Sequence, residues 1–170
     1  MPTLYIFSGL PGTGKTTLAM ALAGRIGAVY LRIDTVEQAL RDLCSVDVEG
    51  EGYRLSYRVA ADNLQLGLSV VSDSCNPIEL TRREWEELAS HNGANHINIE
   101  ITCSNMSEHR RRVESRDSTV DGLRLPSWTD VQRREYSPWS RNRVVVDTSG
   151  KQETESFDEL MTLLSVKNLD

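Results

Sequence analysis

The chain has 170 residues, which is enough for one domain with a substantial hydrophobic core. Its 39% hydrophobic and 26% charged residues are ordinary for a globular protein, and no apolar run approaches membrane-spanning length. A net charge of −6 argues against general nucleic-acid binding, and the three cysteines and three histidines show no metal-binding spacing. Because nothing at the start resembles a signal peptide, these features predict a cytoplasmic protein without a membrane or nucleic-acid partner.

Apolar runs alternate with helical patterns along the whole chain. The predicted strands are Leu4–Phe7, Val29–Ile33, Leu68–Val71, Ile97–Cys103 and Arg143–Val146. The predicted helices are Lys15–Arg25, Val36–Leu43, Tyr53–Leu66, Thr81–His91, Met106–Arg116, Thr129–Tyr136 and Glu153–Leu164. Short strands joined by helical crossovers indicate a parallel sheet covered on both faces, so we predict one α/β domain of three layers. In such sheets ligands bind beyond the carboxyl ends of the strands.

The most specific motif runs from Gly9 to Thr17 and spells G-L-P-G-T-G-K-T-T between the first predicted strand and helix. It matches the phosphate-binding pattern G-x-x-x-x-G-K-[ST] in full. Glycines let the backbone wrap closely around phosphate, and its N–H groups together with the helix N-terminus bind the anion. Lys15 is expected to reach the β- and γ-phosphates, and Thr16 to ligate Mg²⁺. The predicted nucleotide-binding residues are Gly9, Pro11, Gly12, Thr13, Gly14, Lys15, Thr16 and Thr17.

A carboxylate follows each of the second and third predicted strands. Asp34 could accept the proton of a substrate hydroxyl or orient that hydroxyl, and it could also cap the helix that begins near Val36. These two roles do not exclude each other. Asp73 is predicted to be the second Mg²⁺ ligand, and the alternative is a turn residue before Pro77.

Four arginines occupy the helix after the fourth strand. Arg112 and Arg116 are spaced i, i+4 and share a face, so we predict that they stabilise charge on a transferred phosphate. Arg110 and Arg111 are interpreted as a solvated face that pairs with neighbouring glutamates.

The polar segment 117–127 that follows this helix could form a lid over the nucleotide, or it could be an ordinary surface loop. Arg124 within it could reach phosphate. After the third strand, Asn76 and Arg82 are candidates for binding the acceptor, together with Trp85, which is equally compatible with the core.

Several short motifs together resemble those of the small P-loop phosphotransferases. That group includes gluconate and shikimate kinases, adenylylsulfate kinase, chloramphenicol phosphotransferase, zeta-type toxins and the kinase domain of polynucleotide kinase. The resemblance is greatest to a set of bacterial ATP-binding predicted kinases, and it extends nearly from end to end. The motifs that carry it are Ser8–Thr17, Tyr30–Asp34, Ser72–Pro77, Cys103–Asn105 with His109–Arg116, Leu125–Trp128 and Arg134–Trp139.

The resemblance implies a five-stranded parallel sheet in the order 2-3-1-4-5 and transfer of the γ-phosphate of Mg-ATP to a hydroxyl of a small molecule. By position, Asp34 matches the aspartate that faces the substrate hydroxyl, and Asp73 matches the aspartate at the end of the third strand. Arg112 and Arg116 match the arginines that open the lid. The aromatic stretch 128–139 is expected beside the lid and the nucleotide base.

Other functions stay open at this point. One is a nucleotide-binding ATPase or switch without an acceptor, and another is a kinase of a nucleic-acid end or a nucleotide-sugar. The guanine-binding patterns N-K-x-D and T-K-x-D do not occur. The resemblance does not name the acceptor, and the protein could be a monomer or a homodimer.

Overall fold

In the computed structural model, which describes residues 1–167, five strands form a single parallel sheet. The sheet order is β2-β3-β1-β4-β5, and every neighbouring pair is parallel. This confirms the predicted fold class and strand order. The strands are β1 (Thr3–Ser8), β2 (Val29–Arg32), β3 (Val70–Asp73), β4 (Asn95–Thr102) and β5 (Val144–Asp147).

Helices connect the strands and cover both faces of the sheet. Within residues 1–167, none of them is long and apolar enough to cross a membrane. The helices are α1 (Lys15–Ile26), α2 (Ile33–Cys44), α3 (Glu51–Gln65), α4 (Glu79–His91), α5 (Met106–Ser115), α6 (Trp128–Arg133) and α7 (Glu153–Lys167).

The hydrophobic core consists of two clusters, one on each face of the sheet. On one face Phe7 packs with Leu18 of α1 and Leu160 of α7. On the other face Leu4 packs with Trp85 of α4, which is completely buried and therefore belongs to the core. Successive residues of a strand point to opposite faces, so β1 supplies side chains to both clusters and holds the loop that follows it.

The start of α2 differs from its predicted position. The second strand was expected to continue through Ile33, but β2 ends at Arg32 and α2 begins at Ile33. Leu31 and Ile33 are both buried in the same core cluster, and this two-residue spacing imitates a strand. The residue at the N-cap is Arg32, so Asp34 lies inside the first turn and does not cap the helix.

Candidate functional site

The loop between β1 and α1 depends on three glycines with left-handed backbone conformations. The φ angles are 144° at Gly9, 86° at Gly12 and 90° at Gly14. A Cβ atom at Gly9 would lie 2.3 Å from the carbonyl oxygen of Ile101, and one at Gly12 would lie 2.5 Å from Cγ2 of Val113. Both the backbone angles and the close approach of β4 and α5 therefore require glycine at these positions.

Two side chains from distant parts of the sequence brace this loop. Nε2 of His109 in α5 lies 2.8 Å from the carbonyl oxygen of Pro11. The Thr148 hydroxyl, just after β5, donates a 2.8 Å hydrogen bond to the carbonyl oxygen of Thr13. The sequence predicted no functional role for either Thr148 or His109. The position of Thr148 directly after a strand is the one signal that could have pointed to it.

A buried ion pair lies beside the loop. Nζ of Lys15 is 2.5 Å from Oδ1 of Asp73, and the hydroxyl of Tyr30 donates a 2.7 Å hydrogen bond to Oδ2. Burial opposes the charge on Lys15, but Asp73 outweighs it and raises the pKa of Lys15. Burial also favours neutral Asp73, but Lys15 and the Tyr30 hydrogen bond hold the pKa of Asp73 below its usual value. Both groups are therefore charged at neutral pH.

The residues around this pair fit a magnesium ion. Thr16 lies in the first turn of α1, close enough to Asp73 to help lower the pKa of that carboxyl. Hydroxyl and carboxylate oxygens are the hard ligands that Mg²⁺ prefers. Across residues 1–167, no group of three or more His, Cys, Asp and Glu side chains could hold a metal by itself. A magnesium ion here would therefore complete its shell with phosphate oxygens and water.

A single cavity of about 980 Å³ extends from the phosphate loop to the segment 117–127. Its walls carry more basic than acidic side chains, although the whole protein has a net charge of −6. The basic ones are Lys15, Arg32, Arg41, Arg111, Arg112, Arg116, Arg124, Arg134 and Lys151, and the acidic ones are Asp34, Glu37, Glu108, Asp117 and Glu153. The cavity is therefore locally suited to anions.

Helix α5 brings both predicted functional arginines to this cavity. Arg112 donates 2.7 and 3.0 Å hydrogen bonds to the hydroxyl and carbonyl oxygens of Thr148, and it pairs with Glu108 at 2.6 Å. Arg116 is half-buried, and its Nε atom has no hydrogen-bond partner among the residues described. Of the two arginines interpreted as solvated, Arg110 forms an exposed ion pair with Glu114 at 2.8 Å, whereas Arg111 lines the cavity.

Asp34 lines the same cavity as Lys15. Its carboxylate is 50% exposed and lies 3.9 Å from Nη2 of Arg32. It is also close enough to Lys15 to contribute to the raised pKa of that ammonium group. The structure therefore brings together the phosphate loop and an accessible carboxylate.

Asn76 and Arg82, the two other predicted acceptor residues, do not line this cavity. Both are completely buried. Asn76 donates a 2.9 Å hydrogen bond to the carbonyl oxygen of Phe7, and Nε of Arg82 donates one of 2.9 Å to the carbonyl oxygen of Asn76. The Arg82 guanidinium lies 4.0 Å from the ring centroid of Trp139. These residues fasten the chain after β3, and the cation–π contact holds Trp139 against Arg82, apart from the residues that line the cavity.

The segment 117–127, which we call the lid segment, lies across the α2 side of the cavity. It has no helix or strand. Nη1 of Arg32 donates a 2.7 Å hydrogen bond to the hydroxyl of Thr119. A Cβ atom at Gly122 would lie 3.1 Å from Nε2 of Gln38 in α2. The lid segment therefore contacts α2 and, through Arg124 and Leu125, forms part of the cavity wall.

The sheet order and the loop after β1 define a P-loop fold, and solved structures share it. A proposed kinase from Chloroflexus aurantiacus J-10-fl is 24% identical, with a TM-score of 0.70 over 98% of this chain and 97% of its own. A gluconokinase from Sinorhizobium meliloti 1021 is 18% identical, with a TM-score of 0.68 over 99% and 95%. The APS kinase CysC of Mycobacterium tuberculosis, in complex with AMPPNP and APS, is 18% identical with a TM-score of 0.64 over 96% and 98%.

The family is established by the sequence itself. The model of the AAA_33 family, described as an AAA domain, matches residues 4–134, and the chain therefore belongs to this family. No curated protein matches the sequence significantly. The chain is an AAA_33 protein with the fold of the small P-loop kinases.

Proposed function

We propose that this protein is an ATP-dependent phosphotransferase that moves the γ-phosphate of Mg-ATP to a hydroxyl of a small-molecule acceptor. The observation that carries the proposal is the single cavity, in which the phosphate loop and the half-exposed carboxylate of Asp34 face a common space. The similar M. tuberculosis structure contains a nucleotide analogue and APS together, which supports a site for two ligands.

The residues around the phosphate loop would act mainly by positioning the phosphates of ATP and neutralising their charge. The loop amides and Lys15 would hold the phosphates, and Asp73 keeps the buried Lys15 charged beforehand. Thr16 and Asp73 would hold Mg²⁺, and the ion, when bound, offsets negative charge on the phosphate oxygens. The braces from His109 and Thr148 fix the loop, so its N–H groups need little rearrangement to meet the phosphates.

Asp34 would orient the acceptor hydroxyl and take up its proton during transfer. Its carboxylate is suited to this role because it is accessible and the guanidinium of Arg32, at 3.9 Å, is too far for a hydrogen bond. Arg112 and Arg116 would stabilise the equatorial oxygens of the transferred group from the α5 side of the cavity.

An ATPase or switch without an acceptor would need the phosphate loop but no accessible carboxylate in the same cavity, and Asp34 provides one. A kinase of a nucleotide-sugar or of a nucleic-acid end would use the same site, and the acceptor screen below separates these cases.

The proposal is tested by thermal stability with Mg-ATP, followed by a screen of hydroxylated metabolites, nucleotide-sugars and oligonucleotides for stimulated ADP release. We expect ATP to stabilise the protein and one acceptor to stimulate release. Stabilisation by ATP without stimulation by any acceptor would contradict transfer and favour a switch.

Asp34→Asn gives the residue-level test. We expect this variant to retain ATP binding but to lose about 100-fold or more in acceptor-dependent ADP release, because the hydroxyl loses its base. The matched control is Asp62→Asn, which changes an exposed aspartate on α3 outside the cavity and should turn over like the wild type. Unchanged release in Asp34→Asn would remove Asp34 from the mechanism.

A further inference from the structure

The two oxygens of the buried Asp73 carboxylate are bound by different side chains. Nζ of Lys15 lies 2.5 Å from Oδ1, and the hydroxyl of Tyr30 donates a 2.7 Å hydrogen bond to Oδ2. Lys15 lines the cavity, whereas Tyr30 does not. Oδ1 is therefore the oxygen on the side of the cavity, and Oδ2 is held from the side of the sheet.

The register of the sheet puts Tyr30 in this position. Along β2 and β3, Tyr30 pairs with Val71, and Arg32 pairs with Asp73. Residues two apart on a strand point to the same face, so Val71 and Asp73 share a face and Tyr30 reaches along it to the carboxylate. The ring of Tyr30 is partly buried and packs against the core cluster on the α1 face of the sheet. Packing therefore fixes the position of the hydroxyl.

Tyr30 supplies a donor that suits a carboxylate beside a cation site. The terminal torsion of an aspartate is broad, so rotamer preference alone orients its carboxylate poorly. A hydrogen bond to one oxygen fixes the plane of the group and thereby directs the other oxygen. A phenol does this without adding charge, because it is neutral at neutral pH. An ammonium or guanidinium group in the same place would repel a cation.

The two partners of Asp73 also differ in how they can respond to a nucleotide. In the proposed function Lys15 contacts the phosphates and Asp73 helps to hold Mg²⁺, so Oδ1 is shared with the ion. Lys15 has three N–H donors on a flexible stem and can turn toward phosphate. Tyr30 has one hydroxyl on a packed ring. The hydrogen bond from Tyr30 therefore persists while the contact with Lys15 changes.

We propose that Tyr30 is a positioning residue of the magnesium site, whose hydroxyl holds Oδ2 of Asp73 and so presents Oδ1 to the ion that accompanies the nucleotide. The proposal rests on the magnesium site of the proposed function, but not on the transfer of phosphate to an acceptor. Because Tyr30 does not line the cavity, it acts only through Asp73. Removing a group that orients a metal ligand typically weakens metal binding by about 10- to 100-fold.

The test measures binding of AMPPNP by calorimetry, once with Mg²⁺ and once with EDTA, so that no turnover is required. We expect Tyr30→Phe, which keeps the ring and its packing, to weaken binding of Mg-AMPPNP by about tenfold or more. Binding of metal-free AMPPNP should be unchanged. The matched control is Tyr57→Phe, which removes a hydroxyl that donates a 2.9 Å hydrogen bond to Glu84 outside the cavity. This control should bind both forms like the wild type.

A double-mutant cycle tests whether Tyr30 acts through Asp73. In an Asp73→Asn background, Tyr30→Phe should cause no further loss of the Mg²⁺-dependent part of binding. The proposal would be overturned by additive losses in the double variant, or by an equal enhancement by Mg²⁺ in the wild type and Tyr30→Phe. Equal weakening with and without Mg²⁺ would also overturn it, because that result marks a structural role in the loop.

Failure of the proposed function would give a different result. A nucleotide switch would keep the Mg²⁺-specific effect of Tyr30→Phe, but no acceptor tested with ATP would yield a phosphorylated product. Conversely, a phosphorylated acceptor together with wild-type Mg²⁺ dependence in Tyr30→Phe would uphold the proposed function and refute the role of Tyr30.

Discussion

The two ends of the cavity are built in different ways. At the phosphate-loop end, the groups satisfy one another without any ligand: Lys15 pairs with Asp73, and His109 and Thr148 brace the loop. At the end lined by Asp34, that carboxylate is accessible, and the buried Nε atoms of Arg32 and Arg116 have no hydrogen-bond partner among residues 1–167. The first end is adapted to a group that many proteins bind, the nucleotide phosphates. In the proposed function, the second end would bind the acceptor and set its specificity.

Of the predicted effects, the largest should come from removing the ammonium group of Lys15 at the phosphate-loop end of the cavity. We expect Lys15→Met to abolish nucleotide binding and to lower the free energy of unfolding by about 3 kcal/mol, because Asp73 is left buried without its counter-charge. The double variant Lys15→Met/Asp73→Asn should recover most of the stability but not the binding. Urea unfolding and AMPPNP titration measure the two effects. A double variant no more stable than Lys15→Met would contradict this account of the pair.

A substitution that strains the backbone of the phosphate loop should have a smaller effect on stability and on nucleotide binding. Gly12→Ala places a Cβ 2.5 Å from Cγ2 of Val113 at a φ of 86°, so we expect about 1–2 kcal/mol of strain and about tenfold weaker AMPPNP binding. Gly24→Ala is the matched control. Nothing lies within 4 Å of its Cβ position on α1, and alanine there should stabilise the helix by about 0.5–1 kcal/mol. If both variants bound nucleotide like the wild type, the loop would not need its close contact with α5.

The smallest expected effect is a pH dependence of stability from Asp73. Its folded-state pKa lies below the ordinary value of 3.8, so its contribution is fully present above that value and is lost as the pH falls through the folded pKa. One group can change the slope by at most about 1.4 kcal/mol per pH unit. Urea unfolding below about pH 4 should therefore show a steeper loss of stability in the wild type than in Asp73→Asn. Parallel slopes would show that Asp73 is not stabilised as a carboxylate.

The same contrast explains what could be predicted from the sequence. The phosphate loop is contiguous, and Asp73 and Asp34 follow buried strands, so their positions could be found from local patterns. The contacts that brace the loop could not be found in this way. His109 contacts a loop residue that is 98 positions away in the sequence, and Thr148 contacts one that is 135 positions away.

The acceptor end was harder to predict because its residues come from separate segments. A helical pattern does not distinguish an arginine that binds substrate from one enclosed by carbonyl oxygens and an aromatic ring, as Arg82 is. The helix predicted to extend to Tyr136 ends at Arg133 in the structure. Arg134 therefore lies in irregular chain at the cavity wall.

The central claim is that ATP and an acceptor hydroxyl meet in one cavity. The most direct measurement incubates the protein with a metabolite mixture and ATP carrying ¹⁸O in its γ-phosphate, and then identifies labelled products by mass spectrometry. We expect one acceptor to gain a labelled phosphate with the wild type, and far less with Asp34→Asn. Consumption of ATP at the same rate by both proteins, with inorganic phosphate as the sole labelled product, would contradict the account.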